Sequence, residues 1–228
     1  MCNLYSATTN VQAMRELFRV KPENDRLGNA EPRTAIWPKY PGPVVRTDDG
    51  GERELVEMNW GFLTKSVSKK TGKELKPQAW NNARDDKVRT NGLWKNSFLK
   101  RRCLIPASSF REAKGKRPAT DFWFALMGDE PRPPFAMAGL WQPTPPALAT
   151  SLDTPTGLSH TVVTTTSNDI VRPVHPSRMV VILDPSDYET WLNGSPEEAL
   201  ALLRPYPSDR MKIVMDGIGI LRDGEPSD

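Results

Sequence analysis

Residues 53–60, Arg-Glu-Leu-Val-Glu-Met-Asn-Trp (RELVEMNW), set the fold class. Val56, Met58 and Trp60 fall on one side of this run, which is the two-residue period of a half-buried strand. On either side the chain keeps to short extended runs. Further strands are predicted at Cys103–Ile105, Asp121–Met127, Phe135–Trp141, Thr161–Thr166 and Met179–Leu183, with a last one at Met211–Met215 before a polar tail. Helical signals are few. Asn10–Val20 reads as a short amphipathic helix with Val11, Met14, Leu17 and Phe18 on one face and Thr9 or Asn10 as its cap. Two more helices start after Asp184-Pro185 and Ser195-Pro196, the second with Glu198 at the capping-box position. Because strands follow one another without regular intervening helices, the expectation is one mixed α+β domain over residues 1–228, dominated by antiparallel strands. No internal repeat or clean linker interrupts it.

The connecting segments are equally legible. Pro32–Pro43 reads as an extended segment crossing the surface, and Gln142–His160, rich in Pro, Thr and Ser, as a long surface connection. Thr64–Pro77 carries five lysines (65, 69, 70, 73 and 76) and almost no apolar content. It is a solvated loop, either a plain soluble surface or a phosphate-facing flap.

Bulk composition narrows the class. The chain of 228 residues is 37% hydrophobic and 26% charged, the balance of a soluble globular protein rather than a disordered one. No apolar run approaches the ~20 residues of a membrane span, and MCNLYSATTN lacks the features of a secretory signal. The expected location is the cytoplasm. Two cysteines, Cys2 and Cys103, and two histidines, His160 and His175, are poor material for a metal centre, and a disulfide is not expected in a reducing compartment. No cofactor is anticipated. A net charge of +3 permits nucleic-acid binding without demanding it.

Cys2 carries the most specific chemistry. Its small side chain favours removal of Met1, after which one residue offers an α-amine and a thiol on adjacent carbons. An α-amine has a pKa of about 7.7–8.0 and a thiol about 8.5, so both are partly reactive at neutral pH. An aldehyde meeting this pair can form an imine and then a five-membered thiazolidine, which no internal cysteine can make. Four other segments stand out. WNNARDD (Trp80–Asp86) gathers amide, cation and carboxylates, so that Asn82 could hold an oxygen or nucleophile and Arg84 a phosphate; a satisfied turn is the plainer reading. RRCLIPASSFREAKG (Arg101–Gly115) runs from an apolar strand through a turn to Glu112, which taken alone reads as a paired surface charge. AGLWQ (Ala138–Gln142) reads as core packing close to a site. Thr164–Leu183 contains His175 between prolines, a side chain able to trade protons near pH 7.

Taken in order, MCNLY (1–5), WGF (60–62), NAR (82–84), RCLIPASSFREAK (102–114), AGLW (138–141) and VHPSRM (174–179) make the chain resemble one family over roughly Met1–Met215. It is the SOS-response-associated peptidase family of abasic-site processing proteins, whose eukaryotic member is also known as a 5-hydroxymethylcytosine-binding protein. The resemblance implies a compact β-rich domain, with a barrel-like core, peripheral helices and a groove for single-stranded DNA. It implies that the protein shields abasic sites in single-stranded DNA by covalent attachment, associating with the nucleoid when DNA-bound; a monomer is the default expectation. Cys2 would then be the nucleophile, Asn82 would orient its terminus, Glu112 would stabilise the amine and move protons, and His175 would assist imine formation and reversal. Arg84 and Arg178 would contact DNA, and Trp60 and the Pro38 turn would wall the groove. The peptidase activity in the family's name would act on the protein's own Met1, a role a host aminopeptidase would fill equally well.

Two rival readings stand beside this one. An amino-terminal-nucleophile amidohydrolase would also use Cys2, but such chains usually begin Cys-Gly-Ile and carry a glycine-rich oxyanion region. A non-covalent module for single-stranded or modified-base DNA would use Trp60, the Lys65–Lys76 loop and Arg84 without Cys2 chemistry.

Overall fold

The computed structural model describes residues 2–129 and 132–224. Met1, whose removal the sequence reading requires, and the last four residues of the polar tail lie outside the described residues. The strands are β1 (Tyr5–Ala7), β2 (Arg33–Ile36), β3 (Pro41–Thr47), β4 (Arg53–Trp60), β5 (Phe62–Thr64), β6 (Gln78–Trp80), β7 (Asn82–Arg84) and β8 (Arg102–Ala107). They continue with β9 (Ser109–Lys114), β10 (Thr120–Leu126), β11 (Phe135–Pro143), β12 (Leu158–Thr165), β13 (Met179–Val180), β14 (Ile182–Leu183) and β15 (Met211–Ile218). The helices are α1 (Val11–Phe18), α2 (Lys95–Lys100), α3 (Pro146–Ala149), α4 (Tyr188–Asn193) and α5 (Pro196–Ala201).

Five strands close on themselves in the order β12-β4-β3-β8-β11 and back to β12, so the barrel-like core is present. Pairing is antiparallel except where β12 runs parallel to β4 and β7. The α+β class and mainly antiparallel pairing agree with the sequence reading. Closure leaves the five barrel strands no long free edge. Every residue of β8 is buried, because one face fills the barrel and the other is covered by α2 and α4. Trp191 Nε1 donates to Cys103 O at 2.8 Å, and Arg102 donates to Phe98 O at 2.8 Å and also to Trp191 O and Gly194 O. Gly139 on β11 is required here, since a Cβ would lie 2.8 Å from Cys103 Sγ and 2.7 Å from Ile105. The packing role expected for AGLW is therefore a matter of barrel closure.

A second sheet, β15-β10-β9-β1-β2, lies beside the barrel. The chain crosses from barrel to sheet between β8 and β9, at Ser108, whose Oγ accepts from Thr8 N and Thr8 Oγ1 at 2.9 and 2.8 Å. One apolar core joins both layers, from Cys2 through the barrel to Met211.

Several expectations are corrected. Pro32–Pro43 is not a surface crossing: it forms β2, a turn at residues 37–40 and the start of the barrel strand β3. The turn expected after Ile105 gives way to a further strand, β9. Gln142–His160 contains α3 and the beginning of β12, with Leu148 and Leu152 buried against Leu63. Met179–Leu183 divides into two bridges around Val181, which donates to Val163 O and accepts from Ala138 N, both at 2.9 Å. The chain beyond Met215 is not a detached tail. Strand β15 continues to Ile218, and Asp223 is only 2% exposed, with its Oδ2 accepting from Ser6 Oγ at 2.7 Å and Ser109 Oγ at 2.6 Å.

Candidate active site

Cys2 lies at the seam between sheet and barrel and is fully buried. Strand β1 places it there: Tyr5 pairs with Phe110 and Leu4 O accepts from Arg111 N at 2.9 Å, so the residues before Leu4 run beside Glu112. From the barrel side, the start of β7 and the residue before it supply two amides. Asn82 Nδ2 donates to Cys2 O at 2.8 Å and Asn81 Nδ2 donates to the same oxygen at 3.0 Å. Asn81 also donates to Asn3 Oδ1 at 2.9 Å. The Asn82 Oδ1 is buried with no hydrogen-bond partner among the described residues, leaving an acceptor for an incoming N–H or O–H.

Burial governs the acid–base groups. It pushes the Cys2 thiol up to about 12, and the neighbouring Glu112 charge adds to the rise. Glu112 is itself 3% exposed, and burial pushes its carboxyl up to about 7 against the smaller pull of the Arg111 cation. It is therefore no surface charge; Arg111 turns to Asp121 instead, with Nε on Oδ1 at 2.8 Å.

His175 is tied through Arg178 to the corner where β7 meets β12. Its Nδ1 accepts from Arg178 N at 3.2 Å, which assigns the proton of the neutral ring to Nε2. Burial and the Arg178 cation hold the imidazole below its ordinary range. Arg178 Nη2 donates to Asp85 Oδ1 at 2.8 Å and to Thr164 O. Since β12 pairs Val162 with Asn82 and Thr164 with Arg84, this anchor sets the His175 loop one strand-face step along from Asn82. Asp85 secures the corner by accepting from Thr165 Oγ1 at 2.7 Å.

Arg84 is exposed and its fork is taken by Asp86, Nε on Oδ1 and Nη2 on Oδ2, both at 2.9 Å. Arg84, Asp85, Asp86 and Arg178 line one open depression, so two cations and two carboxylates face any phosphate arriving there. Pro38 sits half-buried in the 37–40 turn, held by Lys39 N on Trp60 O at 2.7 Å. Trp60 is corrected: it is fully buried and presents no face to a base. Its ring meets Tyr5 edge-on at 5.0 Å and lies parallel to His160 at 6.4 Å, while Nε1 donates to Asn81 O at 2.8 Å. It supports the amide that holds Cys2. The Lys65–Lys76 loop is almost wholly solvent-exposed.

Sequence reasoning passed over Asn81 and Asp86, both inside the segment it quoted. A second amide next to Asn82, and a carboxylate two residues from an arginine, were the available signals. Cys2 and Cys103 are both free thiols. Among the described residues no group of three or more His, Cys, Asp or Glu is placed to hold a metal ion, and no helix is long and apolar enough to cross a membrane.

The site gathers a buried cysteine near the chain start, two amides on its carbonyl and a buried carboxyl, and comparison with known proteins places the chain that carries it in a family. Residues 1–215 match the SOS response associated peptidase (SRAP) family, and the chain belongs to it. Abasic site processing protein YoqW of Bacillus subtilis (strain 168) is 28% identical over 222 residues, covering 93% of this chain and 90% of the relative. Abasic site processing protein YoaM of the same organism is 28% identical over 213 residues, covering 92% and 86%. Among solved structures, a protein from Bordetella bronchiseptica superposes with a TM-score of 0.70 at 25% identity, covering 95% of this chain and 99% of that one. One from Bacteroides thetaiotaomicron gives 0.71 at 19% identity, covering 95% and 91%, and speaks for the fold alone.

Proposed function

We propose that the chain, once Met1 is removed, processes abasic sites by attaching covalently to them in single-stranded DNA through Cys2. The observation that carries this reading is the clamp on Cys2: two side-chain amides fix its carbonyl in a buried seam beside Glu112. A residue held by its backbone carbonyl keeps amine and thiol oriented together, and such preorganisation contributes on the order of 7–11 kcal/mol to an intramolecular step.

The reaction balances as aldehyde plus aminothiol giving thiazolidine plus water. The neutral α-amine of Cys2 attacks C1′ of the ring-opened sugar and forms a carbinolamine. The protonated Glu112 carboxyl gives its proton to the hydroxyl, which leaves as water while His175 Nε2–H hydrogen-bonds the departing oxygen and so assists, and a protonated imine remains. The thiol is protonated at neutral pH, so it gives its proton to the Glu112 carboxylate as Sγ bonds to C1′. As the Sγ–C1′ bond forms, the C=N electron pair returns to nitrogen, which becomes the neutral ring amine, and Glu112 is left protonated as it began. Asn82 Oδ1 accepts from the amine. Reversal runs the same steps backward, with lyase-like imine chemistry at its centre.

Arg84 and Arg178 hold the phosphate beside the lesion, and the Pro38 turn bounds the strand. Phosphate contacts make binding fall with salt. Removal of Met1, by this site or by an aminopeptidase, comes first. The protein works as a cytoplasmic monomer in the response to DNA damage.

The test is a denaturing-gel shift with processed protein, its mass confirming loss of Met1, and a single-stranded oligonucleotide bearing one abasic site. A heat-stable band that requires the abasic site and disappears in Cys2→Ala is expected. Absence of that band, with binding retained in Cys2→Ala, would point instead to a non-covalent module.

A further inference from the structure

Beside Asn82 lies an open cavity of about 400 Å³. That volume falls within the ~300–1,000 Å³ typical of small-molecule sites. Trp80 forms one wall. It sits on the two-stranded ribbon β5–β6 and is 40% exposed, whereas its ribbon partner Phe62 is fully buried. Its orientation is fixed, because Nε1 donates to Thr64 Oγ1 at 2.9 Å. The polar atom is thus satisfied and the ring's apolar face is left to the cavity. Trp94 closes the far end and is locked by a ring contact with Phe62 at 5.3 Å. At the mouth stand Arg84 and Lys87, both exposed. Asn91 contributes an amide whose Oδ1 already accepts from Leu93 N at 2.8 Å, which turns its NH₂ end outward as donor.

We propose that this cavity is a nucleobase subsite, taking the base of a nucleotide next to the abasic site by stacking on Trp80. The inference rests on the covalent reading above for the position of the lesion. Three features select a nucleobase over another occupant. The site offers one held aromatic face with a few hydrogen-bond donors, the combination that receives a single flat heterocycle. Cations stand at its mouth, where the phosphates of an entering strand would pass. Asn82 lines the cavity and also bonds the Cys2 carbonyl, so lesion site and cavity are neighbours through one side chain. Because the stacked face accepts any base, the subsite adds affinity for strand next to the gap without imposing a sequence.

The experiment uses the full chain and fluorescence anisotropy with single-stranded oligonucleotides carrying a tetrahydrofuran abasic analogue, which has no aldehyde and cannot be attached. In two further oligonucleotides the nucleotide immediately 5′ or 3′ of the analogue is replaced by a baseless propyl spacer. The wild type should lose affinity about fivefold or more when the base is removed on one side only. Trp80→Ala should lose about the same factor on the intact strand and become indifferent to the spacer, while Trp80→Phe, which keeps a stacking face, retains most of the base dependence. A wild type indifferent to both spacers, or a Trp80→Ala variant with undiminished base dependence, overturns the subsite. Failure of covalent attachment in the gel assay would remove the lesion chemistry but leave these binding ratios intact, so the two ideas fail separately.

Discussion

A carboxyl with 3% exposure beside a buried thiol titrates unlike one in water, and Glu112 carries that difference into both chemistry and stability. Its ordinary value of 4.5 rises to about 7 in the fold. The folded state therefore favours the protonated form: the contribution is fully present below pH 4.5 and is lost as pH rises through 7. Glu112→Gln, neutral at every pH, should gain stability over wild type as pH goes from 5 to 8, by roughly 3 kcal/mol at most. Thermal melts at the two pH values check this, and a gap that stays constant would show that Glu112 does not titrate there. In single-turnover attachment, wild type should show a limb near pH 7 that Glu112→Gln lacks, leaving the α-amine limb at about 7.7–8.0. Asp86 works in the opposite sense. By occupying the Arg84 fork it competes with phosphate, so Asp86→Asn should bind undamaged single strands about two- to fivefold more tightly at low salt, a gain that fades as salt screens it. Unchanged affinity at low salt would mean that Arg84 meets no phosphate.

At the scale of elements, the site gathers three segments: the residues leading into β1 bring Cys2, β9 brings Glu112, and Asn81 with Asn82 at the start of β7 bring the paired amides. None of these strands makes the site alone, and β7 is only three residues long. It stays in place because β12 pairs with it in register and because Trp60, on β4, holds Asn81 from beneath. The close β8–β11 approach at Gly139 belongs to the same frame. Gly139→Ala should cost about 1–3 kcal/mol in urea unfolding through overpacking against Cys103 and Ile105. A helix far from this frame gives the contrast. Ser195 caps α5 with a full capping box, its Oγ accepting from Glu198 N at 3.2 Å. Ser195→Ala should cost about 1 kcal/mol and leave the attachment rate unchanged; a slowed rate would tie this distant helix to the chemistry.

Across the whole molecule, the segment after β15 returns over the second sheet as a strap. Trp123 Nε1 donates to Ile220 O at 2.9 Å, Asp223 N donates to Thr34 O at 2.8 Å, and the Asp223 carboxylate takes Ser6, Ser109 and Arg132. These bonds join β1 and β9, the strand that Cys2 leads into and the strand that carries Glu112. Asp223→Ala should lower unfolding stability by about 3–5 kcal/mol, since it strands buried donors, and Asp223→Asn by less; equal losses would show that charge, not hydrogen bonding, is what the site uses. This strap was invisible to periodicity, because a lone aspartate in a polar run carries no local signal of burial. By contrast, the alternation at 53–60, the helix at α1 with its Asn10 cap and the Ser195-Pro196 start are local properties of dihedral preference and side-chain period, and they survive into the structure. The motif residues Cys2, Asn82, Glu112 and His175 were also nameable from sequence, through chemistry and family resemblance. Trp60 was misread because an aromatic beside a glycine looks the same whether it faces solvent or core. The sequence by itself determined the element types and the reactive groups, since these depend on neighbours along the chain. Only the tertiary structure decided which five strands close the barrel, the burial that lifts Glu112 and the thiol, and the paired amides on Cys2. Those arise from contacts between residues tens to hundreds of positions apart, which no local pattern encodes.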